Sequence, residues 1–465
     1  MKNLKKLFIY ICCAFLFLTG AESVFADQTI SSNYWPEGIE TGSQSAIVME
    51  ASTGTILYQK NAEEAHYPAS ITKIMTALIA LENGNISDTV VFSKDAVYNT
   101  EGSSIARDVG EEMTLEQCLY GMLLESSNEC AYAIAEHVGG DYDTFVSMMN
   151  AKAAELGCTN THFSNPHGLP DETHYTSAHD MALIAQEAWK NETFRIMTGT
   201  LRYEIPPTNK HSDITYLQNH NEMINPYHTA KYLYEYCTGG KPGYTIAAKS
   251  TLVTYAQKDG MTLICVVMYA ERPYHWTDSK DLFEYCFSNF GLFNVSENET
   301  TFKEDISDHD ALSGLEELAV LDPAACIVLP LAASFSEATA EIEEITDEPG
   351  VLGRIRYTYA GHDVGTADIL LNEAEAELYP FKTILSSDAD NNEGGGEKLL
   401  VEVTPQRILI ILLILAAGVL VTVILIRLFS RAHIWRQKYY RWKNSRSPYR
   451  RLKRRGFGRR RRRRR

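Results

Sequence analysis

The run Tyr67-Pro68-Ala69-Ser70-Ile71-Thr72-Lys73-Ile74-Met75-Thr76-Ala77-Leu78-Ile79-Ala80 decides how the rest of the chain is read. Pro68 disfavours helix at the residue before it, while from Ser70 onward nearly every side chain is apolar and helical in period. The pattern predicts a buried helix that opens at Ser70, reaches about Glu82 and stops at Asn83-Gly84. A hydroxyl and an amine three residues apart then share one face. Unpaired N–H groups at a helix start favour an anion nearby, and a lysine buried one turn down is pushed toward the neutral amine that a serine nucleophile needs. On spacing alone, Ser-x-x-Lys is a common accident, and Ser70 as a plain N-cap beside a snorkelling Lys73 is the commoner arrangement.

Outward from that stretch, the 465 residues are strongly zoned. Residues 1–26 carry lysines at 2, 5 and 6, an apolar run and Val24-Phe25-Ala26, which reads as a signal peptide cut after Ala26. Ile408 to Ile426 holds no charge, lies between Arg407 and Arg427, and is long enough to span about 28 Å of hydrocarbon as a helix. Residues 27–406 carry 59 acids against 20 bases, whereas 427–465 carry 19 bases and no acid, within a formal net charge of −17. The expected topology is therefore an exported acidic region, one transmembrane helix at 408–426 and a basic cytoplasmic tail at 427–465. The Arg459 to Arg465 run offers charge to RNA, DNA or anionic lipid; with no aromatic platform or nucleic-acid fold beside it, contact with anionic lipid is the expected role and nucleic acid is not. Seven cysteines follow the leader, several inside apolar runs such as Leu263 to Val267, and read as core thiols. No Cys/His cluster, dinucleotide loop or P-loop is present, so neither a metal nor a cofactor is expected.

In chain order, Ser45–Glu50 and Gly54–Gln59 read as a hairpin leading into the Ser70 helix. Thr114 and Gln117 form a capping-box pattern before a helix that reaches Glu125, and a second helix from Cys130 to Val138 ends at Gly139-Gly140. Ser126-Ser127-Asn128 falls at their junction, where side chains can point into a cleft. Two more amphipathic helices follow, at about 142–156 and from Ser177 to Trp189, and Tyr216 to Asn221 reads as irregular. Gly239 to Thr245 opens an extended region that continues to Ala256, turns at Lys258-Asp259-Gly260 and returns as Met261 to Tyr269, before a closing helix at Ser279–Phe290. Helices lying between an early hairpin and late antiparallel strands imply one α/β unit, residues 27–290, whose sheet is built from both ends of the segment. Short extended runs separated by turns make 291–385 a small β-rich domain, and the glycine- and acid-rich 386–407 a flexible tether.

Five segments in this order resemble the low-molecular-weight penicillin-binding proteins of the D-alanyl-D-alanine carboxypeptidase family: Pro68-Ala69-Ser70-Ile71-Thr72-Lys73, Ser126-Ser127-Asn128, Phe163-Ser164-Asn165-Pro166-His167-Gly168-Leu169, Asn219-His220-Asn221 and Gly239-Gly240-Lys241-Pro242-Gly243-Tyr244-Thr245. The resemblance covers about 33–290 and, more weakly, continues to about 378. It implies a β-lactamase/transpeptidase-like fold and hydrolysis of the terminal D-alanine from peptidoglycan pentapeptide stems through a serine acyl-enzyme, with β-lactams as covalent inhibitors. By the same resemblance Ser70 is the nucleophile, Lys73 its base and Ser126 the relay to the leaving amine. Asn128 holds the peptide amide and orients Lys73, and Lys241 faces the terminal carboxylate beside Pro242 and Gly243. The N–H groups of Ser70 and Tyr244 form the oxyanion hole. Singly, Ser126 and Asn128 read as well as helix caps, and Lys241 as a solvated turn residue. His167 and His220 read as structural residues flanking the cleft.

The family pattern is Lys-Thr-Gly, and here Pro242 replaces the threonine. A hydrogen bond to a charged carboxylate is worth roughly 1.5 to 3 kcal/mol, so a slower or more permissive enzyme is expected. A D,D-endopeptidase shares the same chemistry, and a penicillin-binding or peptidoglycan-binding membrane protein that turns over weakly or not at all is the alternative that Pro242 motivates. A β-lactamase is disfavoured by the missing glutamate signature for a deacylating water.

Overall fold

The computed structural model describes residues 34–372, apart from 304, 305, 307–316, 344 and 346–349. The leader, the tether, the apolar 408–426 segment and the basic tail lie outside the described residues. Among the described residues no helix is long and apolar enough to cross a membrane.

In chain order the main elements are β1 (Ser45–Glu50), β2 (Ile56–Lys60), a 3-10 turn at Ala69–Thr72, α1 (Lys73–Asn83), β3 (Thr89–Val91), a short helical turn at Lys94–Tyr98, β4 (Glu112–Thr114), α2 (Leu115–Leu124), α3 (Asn128–Gly139), α4 (Tyr142–Glu155), α5 (Ala178–Lys190) and α6 (Glu192–Gly199). Then come β5 (Arg202–Ile205), β6 (Thr215–Gln218), β7 (Cys237–Thr245), β8 (Lys249–Lys258), β9 (Met261–Ala270), α7 (Tyr274–Asn289) and β10 (Phe290–Asn294). The antiparallel main sheet has the order β2-β1-β9-β8-β7, so residues from both ends of the unit build it, as expected. Its strands are apolar on both faces because both are covered. Ile47, Met49, Ile264, Val266 and Met268 face the core under α1 to α6, while Ala46, Val48, Leu263, Cys265 and Val267 face the core under α7.

The local signals explain most helix boundaries. The Thr114–Gln117 capping box is formed in both directions, Ser127 caps α3 through its side chain, and Gly140 ends α3 in the left-handed region. The seven cysteines that follow the leader are free.

Four expectations need correction. Ser70 does not cap an α-helix: it sits in the 3-10 turn after a left-handed Ala69 (φ 52°), and α1 begins only at Lys73. The extended region after Gly239 is broken at residues 246–248, separating β7 from β8. The stretch read as irregular from Tyr216 holds β6, which pairs with β5, and α7 starts at Tyr274, five residues early.

Beyond α7, β10 pairs with β12 (Cys326–Pro330), and β11 (Ala319–Leu321), β13 (Thr339–Glu343), β14 (Val351–Tyr359) and β15 (His362–Leu371) form a second sheet. Trp35 joins the two regions: it packs against the core under α7 and stacks on His362 at 3.9 Å between ring centroids.

Candidate active site

The nucleophile candidate is held in place by backbone rather than by helix capping. A left-handed, non-glycine residue such as Ala69 is costly and persists only where the surroundings fix it. Gly168 supplies part of that constraint: it has a φ of 89°, and a Cβ on it would lie 1.9 Å from the Ala69 carbonyl oxygen. From the other side β7 presses in, for a Cβ on Gly243 would come within 2.7 Å of Ser70 N. Thr251 on β8 donates to the Pro68 carbonyl at 2.8 Å and ties the turn to the sheet.

One turn on, Lys73 is completely buried. Its Nζ lies 2.7 Å from Asn128 Oδ1, 2.5 Å from the His167 carbonyl and 3.3 Å from Ser70 Oγ. Burial first, and then the nearby charge of Lys241, holds its pKa far below the usual lysine value. A neutral amine has two N–H donors and one lone pair. The two carbonyl oxygens can only accept, so they take both donors and leave the lone pair for the Ser70 hydroxyl. Asn128 can present its oxygen this way because its Nδ2 donates to the Glu101 carbonyl.

Sequence reasoning treated His167 as a flanking structural residue; its carbonyl proves to be a partner of the amine. The surrounding loop is tied to itself: Asn165 Oδ1 accepts from Gly168 N at 2.7 Å and Asn165 Nδ2 donates to the Leu169 carbonyl at 2.9 Å. The loop thereby presents two carbonyls to α1, that of Pro166 to Thr76 Oγ1 and that of His167 to Lys73 Nζ. The imidazole of His167 is buried, and desolvation drives its pKa down to about 3, so it adds no charge beside Lys73.

Lys241 on β7 is also completely buried, not a solvated turn residue. Its Nζ donates to Ser126 Oγ at 3.1 Å and to the Pro242 carbonyl at 2.9 Å, and burial brings its pKa down to about 7 against the raising influence of Glu125. Ser126, at φ 63°, is turned into the cleft at the α2–α3 junction and is not a helix cap. The structure thus gathers Ser70, Ser126, Lys241, Pro242, Gly243 and Tyr244 on one cavity of about 550 Å³, with Lys73 and Asn128 behind Ser70. In the Asn219 segment, Asn219 and Asn221 hold backbone turns, while His220 lines the cavity and meets Glu125 Oε2 at 3.0 Å.

Sequence reasoning also missed Arg272, an exposed cation on the cavity wall that lies over the Tyr244 ring at 4.6 Å. Nothing in its spacing from the other motifs marks it. Among the described residues one group could hold a metal ion, Glu63, His179 and Asp180, and none of the three lines this cavity.

The family model for D-alanyl-D-alanine carboxypeptidases matches residues 30–272. The chain belongs to the D-alanyl-D-alanine carboxypeptidase family. Within this family it is 39% identical over 280 residues to the D-alanyl-D-alanine carboxypeptidase DacF of Bacillus subtilis, covering 58% of this chain and 67% of that one. It is 34% identical over 251 residues to the carboxypeptidase DacB2 of Mycobacterium tuberculosis, covering 53% of this chain and 82% of that one. Among solved structures, the DD-transpeptidase of Streptomyces K15 matches with a TM-score of 0.50 at 30% identity, over 54% of this chain and 99% of that one. The D-alanyl-D-alanine carboxypeptidase of Mycobacterium tuberculosis matches with a TM-score of 0.50 at 31% identity, over 54% and 93%. The transpeptidase-like α/β fold is thereby shared with enzymes of this carboxypeptidase family.

Proposed function

We propose that the chain is a serine D,D-carboxypeptidase that removes the terminal D-alanine from peptidoglycan stem peptides. The observation that carries this reading is the geometry of Lys73: two carbonyls fix its donors, and the remaining lone pair meets Ser70 Oγ. As Ser70 Oγ attacks the penultimate D-alanine carbonyl, Lys73 takes the hydroxyl proton. The N–H groups of Ser70 and Tyr244 receive the developing oxyanion, supported by the close approach of β7 to Ser70 N. The C–N bond then breaks as Ser126 gives its proton to the leaving amine and takes the one held by Lys73, so that D-alanine departs and Lys73 is neutral again. Water then attacks the ester and gives its proton to the neutral Lys73, which hands that proton to Ser70 Oγ as the ester C–O bond breaks, so that the shortened peptide leaves and the Ser70 hydroxyl is restored.

Lys241 and the rim cation Arg272 supply the positive potential that suits the peptide's terminal carboxylate. Bringing that carboxylate beside Lys241 favours the ammonium form, so substrate binding charges a side chain that is poised to titrate near neutrality. The same acyl-enzyme accounts for covalent inhibition by β-lactams.

We place the catalytic unit outside the cell, held by the 408–426 helix with the basic tail on anionic lipid inside. The charge zoning supports this, and the 291–385 β-rich region serves as a spacer above the membrane. Protease added to intact cells should remove the catalytic unit and spare the tail; the reverse pattern would refute the topology.

The decisive assay is D-alanine release from a pentapeptide that lacks cross-links, by the full chain purified in detergent, with Ser70→Ala alongside. Parent protein should label with fluorescent penicillin and release D-alanine, and the variant should do neither. Labelling without release would identify an acylation trap instead of a carboxypeptidase.

A further inference from the structure

Away from the cleft, one ligand atom each from Glu63, His179 and Asp180 fall within 4.8 Å of one another. His179 and Asp180 are neighbours at the start of α5, and Glu63 lies on the segment between β2 and the Ser70 turn. The outer oxygens of both carboxylates are already engaged. Asp180 Oδ2 accepts from Asn160 N and Thr161 Oγ1, each at 2.7 Å, and Glu63 Oε2 accepts from Asn160 Nδ2 at 2.9 Å. Facing the centre are Glu63 Oε1, Asp180 Oδ1 with one long contact of 3.3 Å from Thr159 N, and His179 Nδ1, a buried nitrogen with no hydrogen-bond partner. Asp180 itself is fully buried.

The spacing fits a shared ion. His179 Nδ1 is 3.3 Å from Glu63 Oε1 and 3.7 Å from Asp180 Oδ1. An imidazolium hydrogen-bonded to a carboxylate closes to about 2.7–2.9 Å, and neither gap here is that short. Two ligands of one tetrahedral ion, each about 2.0–2.2 Å from the metal, stand roughly 3.3–3.6 Å apart, which is close to the observed spacing. One imidazole with two carboxylates suits Zn²⁺ better than Ca²⁺ or Mg²⁺, which take oxygen ligands alone. The two carboxylates balance its charge, and the hydrogen bonds from Asn160 and Thr161 fix their orientation as outer partners of metal ligands do. The half-open sides of His179 and Glu63 leave a path for the ion and for a water.

We propose that Glu63, His179 and Asp180 form a Zn²⁺ site, completed by water, that staples the segment leading to Ser70 onto α5. That segment already touches α5 and its lead-in through His179 N to the Ala62 carbonyl at 3.0 Å and through the His66–Thr176 bridge. No metal is expected from the sequence, which holds no Cys/His cluster; Glu63, more than a hundred residues from the other two ligands, meets them only on folding.

The test is calorimetric titration of the untagged, chelator-stripped full chain with Zn²⁺, beside His179→Ala and Glu63→Gln. Parent protein should take up one ion per chain with a rise in Tm, both variants should bind about tenfold or more weakly without that rise, and both should keep penicillin labelling. If the parent takes up no Zn²⁺, or if both variants bind it as the parent does, the site does not exist and the cluster is a loosely held ion pair.

Discussion

The floor of the cleft and the β13–β15 sheet use charged side chains in opposite ways. In the sheet, Arg354 meets Asp368 at 2.5 Å and Arg356 meets Glu343 at 2.7 Å on a partly solvated face, while Ile355, Tyr357, Ala367 and Ile369 are buried beneath. In the cleft, Lys73 and Lys241 are entirely enclosed, and their hydrogen bonds go to hydroxyl and carbonyl oxygens, none to a carboxylate. Paired surface charges contribute little to stability and nothing to chemistry. Buried amines that lack a carboxylate cost stability and are primed to give up a proton. The left-handed Ala69 and Ser126 add backbone strain to the same small region.

Replacing Gly168 by alanine attacks that contrast hardest, since the new methyl group meets the Ala69 carbonyl and the backbone is left-handed there. The expected loss is on the order of 3 kcal/mol together with nearly all penicillin acylation, read by denaturant melts and fluorescent labelling. An active, stable Gly168→Ala would mean that the Ser70 turn does not depend on this contact.

Lys241→Met should abolish turnover yet stabilise the fold by on the order of 2 kcal/mol, measured by urea unfolding at neutral pH. The pH dependence sharpens the point. Above about 7 the folded chain has shed the Lys241 proton while the unfolded chain keeps it, so this group makes parental stability rise with pH up to the ordinary lysine range. The methionine variant should lose the Lys241 share of that slope while buried Lys73 keeps its own, so the slope should be shallower; an identical slope would place the titration elsewhere.

Pro242→Thr, which restores a hydroxyl beside the proposed carboxylate site, should raise kcat/KM on a D-Ala-D-Ala peptide by about one decade. A change below about twofold would show that the hydroxyl was never missed. Arg356→Ala should alter neither activity nor unfolding measurably, because its partners are solvated.

Much of this was legible before any coordinates, for physical reasons that differ by element. Thr114 with Gln117, Ser177 and the Gly139-Gly140 pair act through contacts a few residues long, so α2, α3 and α5 could be placed from local chemistry. Ser70, Lys73, Ser126, Asn128 and Lys241 were legible as motifs, although their separations are settled only by packing. The helix α6 escaped notice although Asn191 caps it and Glu192 opens it, because eight residues carry too little periodicity. Ser70 was misread as a helix start because the left-handed Ala69 is imposed by Gly168 and β7, far away in sequence. The His167 carbonyl was illegible in principle, since every residue has one and only folding decides which of them meets an amine.

Pro242 has one more consequence, set by its place in the sheet. β7 is an outermost strand, and such rims invite another copy of the same protein to zip alongside. A residue with no N–H removes one donor from that edge in mid-strand. The substitution that departs from the family pattern beside the proposed substrate carboxylate therefore also leaves a strand laid along this rim one hydrogen bond short.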